Sequence, residues 1–138
     1  MLNQEKRKVF AEIKDEYFLS NNSFDEAIKL ASTIDIDDTT LATILCISEA
    51  SLFQYRNRGI EFSLSNKSSN LIHLFIDVHT YLHSISNGDR AFVKQWLKME
   101  NDYLGDAPIL LMRNPNGITK ILDYLKSRSL SVIDKSVT

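Results

Sequence analysis

The chain has few of the residues that staple or stiffen a fold: one cysteine, two prolines and four glycines in 138 residues. A single thiol excludes an internal disulfide, which is the usage expected of a cytoplasmic protein. Four scattered glycines leave no loop able to cradle a phosphate. No apolar run approaches the length of a bilayer span, and the first residues lack the basic-then-apolar pattern of a secretory signal. Charge of one sign is also scarce. The net value is −2, so no strongly basic face announces nucleic acid.

What is present is ordinary soluble composition, 43% apolar and 25% charged, enough for one domain or for two small helical ones sharing a core. The charge is uneven. Residues 1–40 carry five basic and nine acidic side chains, residues 41–70 three and two, and residues 88–128 seven and five. The front of the chain is therefore acidic and the back mildly basic.

Helical spacing runs through almost the whole sequence. Val9, Phe10, Ile13, Tyr17 and Phe18 form an amphipathic stripe over residues 4–19. Ser23 and Glu26 fit a capping box for a helix to about Ile34, with Phe24, Ala27, Ile28 and Ala31 inward. Asp37 and Asp38 suit the start of a short helix from Thr39 to Leu45. Ser48 caps another that runs to Arg58, which Gly59 ends. A serine- and asparagine-rich loop from Gly59 to Ser69 separates front from back. A long helix over about Ser68–Ser86 follows, with Leu71, Leu74, Phe75, Val78, Leu82 and Ile85 on one seam. Asn87-Gly88-Asp89 ends it and caps a helix from Arg90 to Met99. Only Leu130–Ile133 has any strand-like alternation. The expected class is all-α: an N-terminal bundle containing a helix-turn-helix, joined by a long helix to a small helical C-terminal domain. The expected division is residues 1–64 and 65–138.

Residues 39–58 form the first motif, helix, three-residue turn, helix. Ala42 is small where the helices cross. Cys46 occupies the turn position at which glycine is commonest, because the backbone there often turns left-handed. Ile47, Leu52 and Tyr55 fill the angle between the helices. On the outer face of the second helix stand Ser48, Glu49, Ser51, Gln54, Arg56 and Arg58. Gln54 has the chemistry to pair with adenine, and Arg56 and Arg58 that for phosphate or guanine. Ser48, Ser51, Gln54, Arg56 and Arg58 are the candidate DNA-binding residues. The alternative is a helical hairpin without a ligand, since this spacing is common in all-α proteins.

The second motif is the last third of the chain. Trp96 is large enough to anchor a small domain. Asp106 suits an N-cap, and Pro108 falls in the first turn of a short helix, where its missing N–H costs nothing. Ile109, Leu111 and Met112 are its expected buried face. Asn114-Pro115-Asn116-Gly117 reads as a turn into a final helix with Ile118, Ile121, Leu122 and Leu125 inward. These residues alone give a compact helical cap on the long helix.

The succession Trp96-Leu97, Asn101, Leu104-Gly105, Pro108, Leu110-Leu111, Gly117 and Leu125 also resembles the C-terminal toxin-binding domain of the Xre/MbcA/ParS antitoxin family. The front half looks similar too, with Gly59-Ile60-Glu61-Phe62-Ser63 following the recognition helix, so the likeness covers roughly residues 24–128. Trp96, Leu104, Gly105, Pro108, Leu111, Gly117 and Leu125 are the structural signature on this reading. The sequence departs from the family at Asp106 and at Lys126-Ser127-Arg128-Ser129, where a final glycine is usual. The resemblance implies an antitoxin that covers the active site of a cognate toxin, mostly of the NAD-consuming RES type. It implies that operator DNA is bound through the helix-turn-helix by a homodimer or a larger toxin–antitoxin complex. The toxin contact would then fall on Arg113, Lys120, Lys126 and Arg128, a cationic surface suited to a phosphate-binding site. The tail from Ser129 to Thr138 would order on the partner. The alternative is a stand-alone helix-turn-helix regulator whose C-terminal domain dimerises or senses a ligand.

No feature points to a reaction, cofactor or metal. His79 and His83 have the four-residue spacing of a metal pair, but no third ligand is near in sequence, and a helix-packing role is the simpler reading. Cys46 is expected to be small and buried, and the paired acids Asp15-Glu16 and Asp37-Asp38 to be helix surface and cap.

Overall fold

The computed structural model describes residues 23–137, with side chains described as far as Ser129. The amphipathic stripe over residues 4–19 lies outside the described residues. Seven helices and no strand occur among the described residues. They are α1 (23–33), α2 (Asp38–Leu45), α3 (Glu49–Arg58), α4 (Asn66–Ile85), α5 (Arg90–Lys98), α6 (Pro108–Leu111) and α7 (Pro115–Val137). The protein is all-α.

Capping chemistry sets most of the boundaries. Asp37 accepts from the Thr40 amide ahead of α2, Ser48 from Ser51 ahead of α3, Ser65 from Ser68 ahead of α4, and Asp89 from Phe92 ahead of α5. Each side-chain oxygen satisfies one amide that a helix start leaves unpaired, an interaction of about 1 kcal/mol. Gly59 closes α3 at φ +63°, in the left-handed region open to glycine. The caps also shorten the serine-rich loop, because α4 begins two residues before the apolar seam would place it.

α4 is the central beam. It buries Leu71, Ile72, Phe75, Val78 and Leu82, and it runs against α7, which returns Ile118, Ile121, Leu122 and Leu125. Phe24, Ala27 and Ala31 of α1, Leu41, Ile44 and Leu45 of α2, Leu52 of α3, and Val93 and Leu97 of α5 join the same hydrophobic cluster. Each fully buried Leu, Ile or Phe contributes about 1.5–3 kcal/mol. The helices before and after α4 thus meet in one core through it. Leu74, Ile76 and Ile85 flank it only half-buried.

Several local expectations are corrected. Ser23 is already helical, so it does not cap α1. Ala107, not Asp106, occupies the N-cap of α6, while the Asp106 carboxylate accepts from the adjacent Ala107 amide. Pro108 does take the first helical position and is buried, whereas Ile109 and Leu111 are only half-buried and Met112 fills the core. Asn114–Gly117 is not a free turn: Asn114 Oδ1 accepts from the Asn116 amide and α7 has already begun at Pro115. Gly117 therefore serves close packing rather than turning. A Cβ there would lie 1.9 Å from the Leu111 carbonyl oxygen, a distance no side chain tolerates. Leu130–Ile133 is helical, not a strand, because α7 continues to Val137.

Candidate functional sites: a helix-turn-helix face and an aromatic ledge

α2, the turn at Cys46 and α3 form a closely packed helical pair. Leu41, Ala42 and Leu45 of α2 close on Leu52 of α3. Cys46 turns left-handed at φ 56°, at a position where most side chains are strained. Its carbonyl accepts from the buried Ser68 hydroxyl at 3.1 Å, which pins the turn to α4. The Cys46 side chain is exposed rather than buried, because the left-handed backbone sends it outward. Tyr55 donates to the Asp25 carboxylate and packs with Phe24 and Phe62, ring centroids 4.8 and 6.1 Å away.

Of the candidate DNA-reading side chains, Ser48, Ser51 and Arg56 already have partners within the fold. The Ser48 hydroxyl caps α3 and donates to Ser51 Oγ at 2.7 Å, so both serines serve the helix start. Glu49 accepts from Thr39, and Arg56 pairs with Asp38 at 2.8 Å. Both contacts lace α3 to α2. Gln54 and Arg58, four residues apart, stand together on the outer face. Asp37 at the near end of α2 is a firm carboxylate: the Thr40 hydrogen bonds lower its pKa, and the Arg113 charge adds to this.

Of the cationic candidates of the back half, Lys120 and Arg128 share one side of α7, while Arg113 and Lys126 lie elsewhere. Arg113 acts on Asp37, at the helix-turn-helix end of the molecule. Lys120 donates to the Leu104 carbonyl at 3.2 Å and so braces the 101–106 turn against α7. That turn is closed by the Gly105 amide on the Asn101 carbonyl at 2.8 Å and the Leu104 amide on Asn101 Oδ1 at 3.0 Å. Lys126 is exposed and sits two residues from Tyr124 and Arg128, hence on a different side of α7. Arg128 alone joins an apolar neighbourhood, 5.9 Å over the Tyr124 ring.

That neighbourhood is a surface the sequence reading missed. Val93 and Leu97 are the fully buried residues of α5, and Trp96 is half-buried, packed against the core with part of its indole at the surface. It lies parallel to Tyr124 at 6.4 Å, and Tyr124 stacks on Tyr103 at 4.9 Å. Phe92, Trp96 and Met99 line a groove of about 370 Å³ with Gln95, Glu100 and Asn101. Phe92, Met99 and Tyr103 are 40%, 54% and 74% exposed. Large apolar side chains gathered in one exposed patch mark a contact surface. The signal in the sequence was the spacing of Phe92, Trp96 and Met99, one helical stripe that Val93 and Leu97 do not share.

A second groove, about 550 Å³, lies between α1, α4 and the start of α5 and is lined by Lys29, Thr33, His79, His83 and Arg90, among others. His79 and His83 stack with ring centroids 6.0 Å apart. Burial, then the neighbouring His83, lowers the pKa of His79 against an opposing pull from Glu26. No group of three or more His, Cys, Asp or Glu side chains is placed to hold a metal ion among the described residues. No helix among them is long and apolar enough to cross a membrane.

No protein-family model matches the chain, and no curated protein matches it.

Proposed function

We propose that this protein acts by binding, as an antitoxin that neutralises a cognate toxin, of the RES type, through its C-terminal region. The observation that carries this reading is the aromatic ledge of Trp96, Tyr103 and Tyr124. It sits within the stretch that resembles the toxin-binding domain, with Trp96 and Tyr124 resting on the core from outside and Tyr103 largely exposed. A left-handed turn between α2 and α3, with Gln54 and Arg58 outward, supports operator binding by a cytoplasmic homodimer or larger complex. Catalysis is no part of this reading.

Co-expression tests it. A small toxin encoded beside this gene should lose its lethality when this protein is present, and the two should co-purify. A neighbouring toxin that stays lethal rules neutralisation out. The groove beside His79 and His83 favours a second reading, a stand-alone regulator that senses a small ligand. DNA binding that responds to a metabolite, with no toxin encoded nearby, would select it.

A further inference from the structure

The ledge carries charge as well as aromatic area, and its sign differs from the cationic contact expected of the back half. Glu100 lines the groove beside Trp96. Asp102 and Asp123 directly precede Tyr103 and Tyr124 in sequence, and both are exposed. Against these three carboxylates stand two cations: the Arg128 guanidinium, already over the Tyr124 face, and Lys120, which donates to the neutral Leu104 carbonyl and keeps its charge. Stacked tyrosine and tryptophan faces are electron-rich and attract cations, guanidinium above all. Aromatic faces and surplus carboxylate are complementary to the same group.

We propose that the ledge formed by α5, the 101–106 turn and α7 receives an arginine-bearing, otherwise apolar segment of a partner protein. This rests on the reading that the protein works by binding, and it names the chemistry of the contact. The partner's guanidinium stacks on Tyr103 or Trp96 as Arg128 does on Tyr124, and Glu100 takes its N–H groups. Apolar side chains of the same segment fill the groove between Phe92 and Met99.

Trp96 is the sole tryptophan, so its fluorescence reports on this surface alone. Acrylamide quenching of the free full-length protein comes first. Ready quenching at all protein concentrations is expected. Shielding that grows with concentration would make a second copy of the chain the occupant, and shielding at every concentration would make it the chain's own undescribed segment. Either result overturns the proposal.

Two matched amphipathic peptides are then titrated, each with leucine on one face and either arginine or glutamate on the other. The arginine peptide should shift Trp96 emission and bind about tenfold or more tightly than the glutamate peptide. Its affinity should fall severalfold as salt rises to about 0.5 M. Tyr103→Ala, at a side chain too exposed to matter for folding, should weaken it about tenfold. Glu100→Gln should erase most of the preference for arginine. Equal binding of both peptides, a preference for glutamate, or indifference to Tyr103→Ala would overturn the proposal. If the toxin is neutralised through the ledge while the arginine peptide fails to bind, the partner chemistry is wrong and the function stands.

Discussion

The helix-turn-helix face and the aromatic ledge invert each other. The first has the polar side chains of a binding surface, yet most of them are spent inside the fold. Ser48 and Ser51 cap, Glu49 holds Thr39, and Arg56 holds Asp38. The second has side chains typical of a core, yet Phe92, Met99 and Tyr103 are exposed and Trp96 is only half-buried. Residue type does not separate the two cases. Which neighbours each side chain meets does, and the apolar surface left without a partner is the better sign of a contact.

The contrast can be broken at several points, the largest effect first. Gly117→Ala places a methyl group against the Leu111 carbonyl. The corner between α6 and α7 must open, at a cost of about 3 kcal/mol. Thermal unfolding should show a much lower midpoint; an unchanged one would mean that the two helices do not meet so closely. Trp96→Ala should lower stability through its lost packing on the core and, in the protein that still folds, remove about 2 kcal/mol or more of partner binding, measured by calorimetry. Undiminished binding by the folded variant would take Trp96 out of the contact.

On the other face, Arg58→Ala should weaken operator binding about tenfold and reduce its salt slope by about one. Arg56→Ala should change gel shifts less and lower stability by under about 1 kcal/mol, because its pair with Asp38 is a third exposed on both sides. Equal losses from both would restore the face as one surface.

The smallest effect is on pH dependence. His79 has its folded pKa below the ordinary value of 6.5, so the unfolded chain takes up the proton first. Its contribution is present above 6.5 and is lost as pH falls through the lower folded value. Burial and the neighbouring His83 oppose the proton and Glu26 favours it. Chemical unfolding should therefore show His79→Gln flattening the acid side of the stability curve. An unaltered curve would locate the acid sensitivity elsewhere.

Periodicity and caps made the fold legible. Asp37, Ser48 and Asp89 cap where their positions predict, and Ile118, Ile121, Leu122 and Leu125 are buried as their spacing requires. Gly117 was misread because a glycine needed for close approach looks the same in sequence as one needed for a turn. Asp106 was misplaced because the Asn101–Asp106 pairing shifts the start of α6 by one residue. The candidate sites were less legible. Arg56 and Lys120 were chosen for charge, and their partners, Asp38 and the Leu104 carbonyl, are distant in sequence. Tyr103 and Tyr124 drew no attention because nothing local reveals that two tyrosines 21 positions apart stack on each other.

The central claim is that the ledge, not the polar face of the helix-turn-helix, makes the contact with the partner protein. Toxin rescue in co-expressing cells measures this directly, with Trp96→Ala/Tyr103→Ala set against Gln54→Ala/Arg58→Ala at matched soluble levels. Expected is loss of rescue in the ledge variant and full rescue in the other. Full rescue by the ledge variant would contradict the claim.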